Sequence, residues 1–348
     1  MFNNWRYKVQ FEYWPVWLVY IPTLFVWAYF AFRARALFYM TAANPGIELG
    51  GFFGESKSAI LDLVPEAYKP KTIHINPKSS TWLDKHRRYG PSYPLVAKPN
   101  IGERGNGVEV MPNEDALIAF LKNKNESYLL QEFSNYTHEY GVLFYRMPNE
   151  KKGHVISITG KKFMEITGDG VKSIRQLMET NYRYSLQIER LSTQRNLEEV
   201  LPIGNKLLLE PIGNHCRGTE FTNENHLINE RVSEQFTRIA DRMDGFYFGR
   251  FDLKAKREID LETGEFLHIM EVNGTTSEAG HIYSKGFGVW NAYRVIFSQM
   301  KLIYTIGLAN HRRGIAYSPF KEFTSTVWNH FFPKKARTST SIEAKQWA

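Results

Sequence analysis

The sequence predicts an α+β fold, built from antiparallel strand pairs and the helices packed on them. Residues 249–274 contain two runs of strand-forming residues on either side of a polar turn, which is typical of a β-hairpin. Residues 93–111 contain two more such runs around a loop with three glycines. One stretch has apolar residues at spacings of four, three and four, as on one side of a helix: Val232, Phe236, Ile239 and Met243. Together these stretches predict a mixed α+β chain.

Composition and charge are those of a globular protein with anionic partners. Hydrophobic residues make up 43% of the 348 residues and charged residues 23%, which excludes a disordered chain. The net charge of +8 favours nucleotides, nucleic acids or acidic lipid surfaces. No nucleic acid is expected, because the basic residues are scattered and no base-reading motif is present. The single cysteine, Cys216, excludes an internal disulfide and a cysteine-rich zinc site.

An uncharged segment near the amino terminus predicts association with a membrane. Residues 13–32 contain no charged side chain, and a helix of this length would span about 30 Å, the thickness of a bilayer core. Tryptophan and tyrosine, which favour membrane interfaces, are frequent in it. No small-residue cleavage site follows, so a cleaved signal peptide is not expected. We therefore interpret residues 1–40 as a membrane-associated segment.

The arrangement of this segment stays open between three alternatives. It could be a full span, a helix bent at Pro22 that stays in one leaflet, or a helix buried in a soluble core. Basic residues flank the segment on both sides, so their charges favour neither orientation across a membrane. The central proline, Pro22, therefore favours a bent helix that stays in one leaflet. The tail at residues 316–348 predicts a second contact with an anionic surface through its aromatic and basic residues: Trp328, Phe331, Phe332, Lys334, Lys335 and Arg337.

Residues 41–92 are interpreted as a packed connector. Residues 50–57 look like a phosphate-binding loop but lack its pattern, because Lys57 follows Ser56 rather than glycine. Ser56 is predicted to cap a short helix that runs to about Val64. A glycine-rich approach to a helix can bind an anion, and this role stays open beside a simple turn and cap. A second short helix is predicted near residues 80–88.

The hairpin at residues 249–274 is a candidate metal site. Side chains alternate along a strand, so Arg250 and Asp252 share one face, as do Glu271 and Asn273 on the second strand. Pairing the strands would bring three hard oxygen ligands beside a guanidinium, which suits Mg²⁺ carrying nucleotide phosphates. A polar, solvated hairpin face is the alternative. Glu271 and Asn273 lie in an otherwise apolar strand and need polar partners there. On this stretch alone, the metal site and the solvated face are equally supported.

Two lysines and a glycine loop predict phosphate binding. Lys98 ends a predicted strand, and Gly102, Gly105 and Gly107 in the next loop would let backbone N–H groups approach phosphate oxygens. Ordinary hairpin turns also use glycine, so the loop alone is weak evidence. Lys161 ends another predicted strand, either as a second phosphate ligand or as an exposed lysine.

Further stretches predict contacts to the rest of a nucleotide or to substrate. The predicted strand at residues 128–133 turns polar and could meet an adenine edge there: Gln131, Glu132 and Phe133. Glu139 could accept hydrogen bonds from ribose hydroxyls. Arg217, in a polar loop, could face substrate or phosphate. A turn at residues 168–170 precedes a helix predicted from about Val171 to Glu179.

In this order the pieces resemble the ATP-grasp superfamily, and most closely the D-alanine–D-alanine ligases and ligases of the cyanophycin synthetase type. The resemblance covers roughly residues 93–307 and implies two α+β subdomains that sandwich ATP, over residues 93–315. It rests on an ordered set of stretches: residues 96–99, 102–107, 131–133 with Glu139, 168–170, 249–252 and 270–273.

The resemblance implies a role for each matched residue. Lys98 would bind ATP phosphates beneath the glycine loop, residues 131–133 would hold adenine and Glu139 the ribose. Beside these matched residues, we expect Lys161 to act in catalysis by holding the phosphates in line together with Lys98. The implied ligands of Mg²⁺, or Mn²⁺ in its place, are Asp252, Glu271 and Asn273. Arg250 would stabilise a tetrahedral intermediate. Thr276 and Ser277 follow at the position where family members bind a substrate carboxylate.

The chain departs from the family at its beginning. Family members usually start with a further domain that helps bind the first substrate, whereas a membrane-like segment and a connector stand here. The expected activity is an ATP-dependent carboxylate–amine ligase acting through an acyl phosphate, with small carboxylate and amine substrates that could be lipid-linked. An ATP-grasp kinase or a non-catalytic nucleotide-binding protein are the alternatives. Because ATP is used in the cytosol, we expect the cytoplasmic face of the membrane; a homo-oligomer stays open.

Overall fold

The computed structural model of the protein describes residues 11–52, 55–102, 105–214 and 217–331. The strands in these ranges are β1 Thr72–Ile75, β2 Leu95–Pro99, β3 Glu109–Met111, β4 Tyr128–Glu132, β5 His138–Arg146, β6 Gly153–Lys162, β7 Met164–Thr167, β8 Lys206–Glu210, β9 Glu220–Asn223, β10 Phe248–Ala255 and β11 Leu267–Asn273. The helices are α1 Val16–Ala34, α2 Lys57–Leu63, α3 Trp82–Tyr89, α4 Glu114–Leu121, α5 Ile174–Glu179, α6 Tyr182–Ser185, α7 Ile188–Ser192, α8 Glu230–Ala240, α9 Asp260–Thr263, α10 Val289–Arg312 and α11 Phe320–Phe331. The predicted α+β class is confirmed: the strands pair antiparallel and helices pack on them.

A small sheet has the strand order β1-β4-β2-β3. The predicted hairpin around the glycine loop is its β2–β3 pair, with Val96 opposite Val110. Its edge strand β1 lies inside residues 41–92, so the predicted connector contributes a strand that the sequence did not indicate. The helices predicted near Ser56 and near residues 80–88 are present as α2 and α3, and the Ser56 hydroxyl accepts from Ala59 N as a cap.

A larger sheet has the order β11-β10-β5-β6-β9 and is covered by α8. The predicted apolar side of α8 is buried: Val232, Phe236 and Ile239 are at most 1% exposed, as is Met243 just beyond the helix. These side chains pack against Phe251 and Leu253 of β10 in one hydrophobic core. This burial fixes the sheet on which the candidate metal ligands lie.

The predicted 249–274 hairpin is the antiparallel pair β10–β11, in which Asp252 lies opposite Glu271 and Arg250 opposite Asn273. A bulge follows Asp252, where the register shifts before Leu253 pairs with Ile269. The connection is longer than the predicted turn, because it includes α9 with the buried carboxylate of Asp260.

The pair β7–β8 forms a separate small sheet, next to α5, α6 and α7. The predicted start of α5 at Val171 is wrong. The Asp169 carboxylate accepts from the backbone N–H groups of Val171 and Lys172, which holds them in a turn. Ser173 then caps the helix in a reciprocal arrangement with Gln176, so α5 begins at Ile174.

Helix α1 runs through Pro22 and lies along the protein. Its amino-terminal end is next to Phe11, which stacks on Tyr283 at 5.6 Å between ring centroids. Near its carboxyl end, Phe30 stacks on Tyr304 of α10 at 4.6 Å. A helix of 19 residues is roughly 28 Å long, so the same domain contacts α1 at both ends.

The opposite side of α1 is exposed and apolar. Among the described residues, one helical window, Trp17–Ala34, could span a membrane by length and composition. A helix in the core of a soluble protein would be mostly buried, whereas 17% of this window is buried. Residues 1–10 and 332–348 lie outside the described residues, including much of the tail for which a surface contact is predicted.

Candidate functional site

Asp252 on β10 is the centre of a polar cluster. Its Oδ2 atom lies 2.9 Å from Arg250 Nη2 and accepts from Asn273 Nδ2 at 2.9 Å. Its Oδ1 atom lies 3.4 Å from Lys161 Nζ on β6. Burial raises the pKa of Asp252, but Arg250 and Lys161 outweigh it and lower the pKa to about 2. Asp252 is therefore a carboxylate at neutral pH, as a metal ligand must be.

Lys161 joins Asp252 to Glu139. Its Nζ atom lies 2.9 Å from Glu139 Oε1, and both side chains are nearly buried. Burial lowers the pKa of Lys161, but Asp252 and Glu139 outweigh this and raise it. The alternative of an exposed strand-end lysine is thus excluded. Lys254, two residues after Asp252 on β10, adds a further cation 3.9 Å from Glu139 Oε2.

Glu271 on β11 pairs with a residue from the predicted connector. Lys57 Nζ lies 3.0 Å from Glu271 Oε1 and donates to Gly102 O at 2.5 Å. Burial raises the pKa of Glu271, but Lys57 and Lys98 outweigh this effect, so the pKa is lowered and the carboxylate stays ionised. Lys57 thus ties the glycine loop to a candidate metal ligand. The sequence showed Lys57 only as part of a failed phosphate-loop pattern.

Lys98 lies where the four-stranded sheet that contains β2 meets the five-stranded sheet that contains β11. Its ammonium donates to Gln131 Oε1 at 2.9 Å and, across the sheets, to Met270 O at 2.8 Å. Burial without a bonded carboxylate lowers the pKa of Lys98 from 10.5 to about 8. Gln131 is fully buried: its Oε1 atom accepts from Lys98, and its Nε2 atom donates to Thr72 Oγ1.

The two residues after Gln131 lie nearer the surface. Glu132 is exposed and accepts from Lys71 N at 3.3 Å. Phe133 lies under the Lys254 ammonium, 5.4 Å from the ring centroid. The predicted adenine contacts of these residues stay predictions.

The glycine loop is held from two sides. Arg217 Nη2 donates to Gly105 O at 2.8 Å, opposite the contact of Lys57 with Gly102. Gly105 and Gly107 have φ angles of 68° and 70°, which other residues rarely adopt, so glycine is needed there. Arg217 thus lies at the loop, as its predicted contact with phosphate or substrate requires. Residues 103 and 104 of the loop, and Cys216, lie outside the described residues.

A second set of contacts follows Asn273. Arg250 Nη1 donates to Glu278 O at 3.2 Å, and the Glu278 carboxylate accepts from the hydroxyls of Tyr20 and Tyr283. Of the predicted substrate residues, Thr276 donates its hydroxyl to Gly51 O and Ser277 donates to Gly274 O. Both side chains therefore brace the backbone beside Arg250. Tyr20 and Glu278 were not predicted, because they are distant in sequence and match no motif.

The donor set fits a hard divalent ion near a polyanion. Two carboxylates and an amide face one another across β10–β11 on Asp252, Glu271 and Asn273. Within the described ranges no group of three or more His, Cys, Asp or Glu residues could hold a metal. The carboxylates are outnumbered by cations, a surplus suited to phosphates: Lys57, Lys98, Lys161, Lys254 and Arg250 against Glu139, Asp252 and Glu271.

Comparisons with known proteins find distant structural likeness. No family model and no curated protein matches the sequence. The chain is similar to D-alanine–D-alanine ligase of Bacillus anthracis, with a TM-score of 0.43 and 15% identity over 75% of this chain and 69% of that one. It is also similar to the D-Ala:D-Ser ligase VanG of Enterococcus faecalis, with a TM-score of 0.42 and 16% identity over 73% and 61%.

A third similar structure is the bifunctional glutathione synthetase of Pasteurella multocida, with a TM-score of 0.36, 13% identity and 70% and 36% coverage. The chain thus spans 61% of VanG and about a third of the synthetase. D-alanine–D-alanine ligases, which the sequence itself resembles, are thus among the similar structures. At these scores no activity follows from the likeness.

Proposed function

We propose that the protein is an ATP- and Mg²⁺-dependent carboxylate–amine ligase of the ATP-grasp type. The observation that carries the proposal is the convergence of Asp252, Glu271, Asn273 and Arg250 on two facing strands. Three lysines lie close to this set: Lys57, which also bonds to the glycine loop, Lys98 where two sheets meet, and Lys161. A metal-dependent phosphoryl transfer needs such a combination.

Each side chain then has a distinct task. Asp252, Glu271 and Asn273 would hold Mg²⁺, or Mn²⁺, which when bound neutralises charge on the phosphates. Lys98 and Lys161 fix the phosphates in line with a substrate carboxylate. A carboxylate oxygen attacks the γ-phosphorus, ADP leaves, and an amine displaces inorganic phosphate from the acyl phosphate. Arg250 stabilises the oxyanion of that second step.

The assignment to a ligase is tested with the full-length protein, ATP, Mg²⁺, a pool of amino acids and a membrane extract. We expect free phosphate in step with ADP and a condensation product by mass spectrometry. Hydroxylamine should trap the acyl phosphate as a hydroxamate. Phosphate retained on an isolable product would instead identify a kinase, and ATP binding without ADP formation would identify a non-catalytic binding protein.

We place the protein at the cytoplasmic face of a membrane, because ATP is supplied there. The support is the outer side of α1, which exposes large apolar residues to solvent, among them Trp17, Phe25 and Phe32 at 67%, 75% and 81%. Phe11 just before α1 and Phe30 near its end contact the same domain, which favours a helix lying in one leaflet over a full span. Small carboxylate and amine substrates, free or lipid-linked, complete the proposal.

A further inference from the structure

Helix α1 reaches the substrate end of the candidate site through one side chain. The Tyr20 hydroxyl donates to Glu278 Oε1, and the Tyr283 hydroxyl donates to Glu278 Oε2 at 2.8 Å. The main-chain carbonyl of Glu278 in turn accepts from Arg250 Nη1 at 3.2 Å. Glu278 therefore links the amino-terminal helix, through two hydrogen bonds, to the guanidinium proposed to act on the substrate.

Further contacts join this segment to the first turn of α1 and to the residues just before that helix. Phe11 stacks on Tyr283 with an interplanar angle of 13°, and it also contacts Tyr293 edge-on at 6.0 Å. The Tyr293 hydroxyl donates to Val19 O at 3.3 Å. A shift of α1 would accordingly move residues 278–293 with it, since closely packed side chains do not deform freely.

The outward side of α1 is apolar up to its last turn. Its exposed large hydrophobic side chains are Trp17, Leu18, Tyr20, Ile21, Leu24, Phe25, Tyr29 and Phe32. Trp290, at the start of α10 and one turn before Tyr293, is 76% exposed as well. Arg33 and Arg35 follow at the carboxyl end of α1, and the chain carries a net charge of +8. A bilayer surface with anionic lipids fits this apolar side and its basic end.

We infer that docking of α1 on such a bilayer sets the position of Glu278 and Arg250, so that the membrane surface switches the site on. Tyr20 is the positioning residue of this coupling, because it lies at the border of the exposed side and bonds directly to Glu278. The inference rests on the proposed function only in the role given to Arg250. It extends that function by naming the bilayer as a regulator of catalysis rather than an anchor alone.

Tyr20→Phe tests the coupling, because it removes the hydroxyl and keeps the apolar ring. Tyr29→Phe is the matched control: Tyr29 lies on the same exposed side, and its hydroxyl accepts from Arg33 rather than from the site. Vesicles of phosphatidylcholine and phosphatidylglycerol in equal parts serve as the probe. All three proteins should bind them within about twofold, since the apolar surface is unchanged.

The readout is hydrogen exchange over residues 274–288, with and without vesicles. Vesicles should slow exchange there by at least about fivefold in the wild type and in Tyr29→Phe, and by less than about twofold in Tyr20→Phe. Equal slowing in Tyr20→Phe, or none in the wild type, would overturn the inference. Because this readout needs no turnover, failure to detect a ligase product would contradict the proposed function and leave the coupling intact.

Once a substrate pair is identified, kinetics give a second arm. Vesicles should raise kcat/KM of the wild type by at least about tenfold, mainly through kcat, because Arg250 acts after binding. Tyr20→Phe should lose this activation, so that its kcat/KM with and without vesicles differs by less than about twofold. Activation that persists in Tyr20→Phe would likewise refute the coupling.

Discussion

Lys98 shows how burial without a bonded carboxylate changes a single side chain. Burial lowers the pKa of its ammonium to about 8, whereas Lys161, between two carboxylates, has a raised pKa. The two predicted phosphate ligands therefore differ in when they carry charge. Lys161 is charged throughout the physiological range, while Lys98 loses its proton in mildly alkaline solution.

ATP affinity should follow the charge of Lys98. Below pH 8 its ammonium is present and the affinity should be constant; above pH 8 the affinity should fall by up to about tenfold per pH unit, because a neutral amine attracts phosphate weakly. Titration with a fluorescent ATP analogue across this range measures it. Lys98→Met should bind more weakly at every pH and show no such fall, and an equal fall in Lys98→Met would contradict the assignment.

The same group makes stability depend on pH with a defined sign. The folded-state pKa of Lys98, about 8, is below the unfolded value of 10.5, so the unfolded chain binds more protons between them. The contribution of Lys98 to stability is therefore present above pH 10.5 and lost as the pH falls through 8. The difference between wild type and Lys98→Met in denaturant unfolding isolates this contribution.

Glu271 is a candidate metal ligand whose charge can be removed with little change of shape. Glu271→Gln keeps the shape and loses the charge, so ATP should still bind weakly while ADP formation falls at least about a hundredfold. Calorimetric titration with Mn²⁺ should show weakened metal binding. Glu109→Gln, an exposed position on β3, is the control and should behave as wild type. Near-normal turnover in Glu271→Gln would remove Glu271 from the site.

At the scale of elements, a glycine contact holds the connector on the hairpin. Gly51 and Gly274 approach so closely that a Cβ on Gly51 would lie 2.6 Å from Gly274 Cα. Gly50 O accepts from Thr275 N at 3.1 Å and Gly51 O from Thr276 N at 3.3 Å. These contacts place the approach to α2, and with it Lys57, against β11.

Gly51→Ala should disrupt this placement. The backbone at Gly51 has φ of +76°, and the added methyl meets backbone atoms, so we expect a loss of about 2–4 kcal/mol in the free energy of unfolding. Denaturant unfolding measures it. Gly288→Ala is the control, with φ of −60° and no atom within 4 Å of the new Cβ, and should change stability by less than about 0.5 kcal/mol. Equal effects of the two substitutions would show that the contact is not tight.

At the scale of the whole molecule, the packing of α1 bears on how the chain meets a membrane. A spanning helix would carry its two ends to opposite sides of the bilayer. Here Phe11, just before α1, and Phe30, near its end, both pack on the domain that holds the candidate site. This arrangement favours insertion from one side, with the inner face of α1 on α10 and the outer face in lipid.

Charged residues on the outer face should release the protein from membranes. Phe25→Asp with Phe32→Asp places two carboxylates at positions that are 75% and 81% exposed, so folding should persist while membrane binding falls by at least about tenfold. Val171→Asp with Ile203→Asp, at positions 79% and 81% exposed away from α1, is the control and should stay bound. Sedimentation of membranes measures both; retention of the first variant would argue against docking through α1.

Topology is tested separately with a cysteine at Asn3, which lies outside the described residues. In intact cells it should not react with an impermeant reagent. Labelling from outside would establish a full span and contradict insertion in one leaflet.

Local periodicity was enough for much of the fold. Alternation along a strand paired Arg250 with Asp252 and Glu271 with Asn273, and helical spacing identified the buried side of α8, because both depend on backbone geometry within a few residues. The glycine hairpin and the short helices α2 and α3 were likewise visible from turn and cap residues. The start of α5 was not, since it depends on the hydrogen bonds of Asp169 and Ser173.

Which distant side chains complete the site depends on long-range contacts in the folded chain. Lys57 reaches Glu271 across more than two hundred residues, and Tyr20 reaches Glu278 across a similar separation. Neither has a local pattern, because a long-range ion pair or hydrogen bond leaves no period in the sequence. The strands that carry the candidate metal ligands and the apolar character of α1 follow from local residue patterns alone. How α1 packs, and that it touches the site, followed from burial of one face of that helix against α10, which depends on the folded chain as a whole.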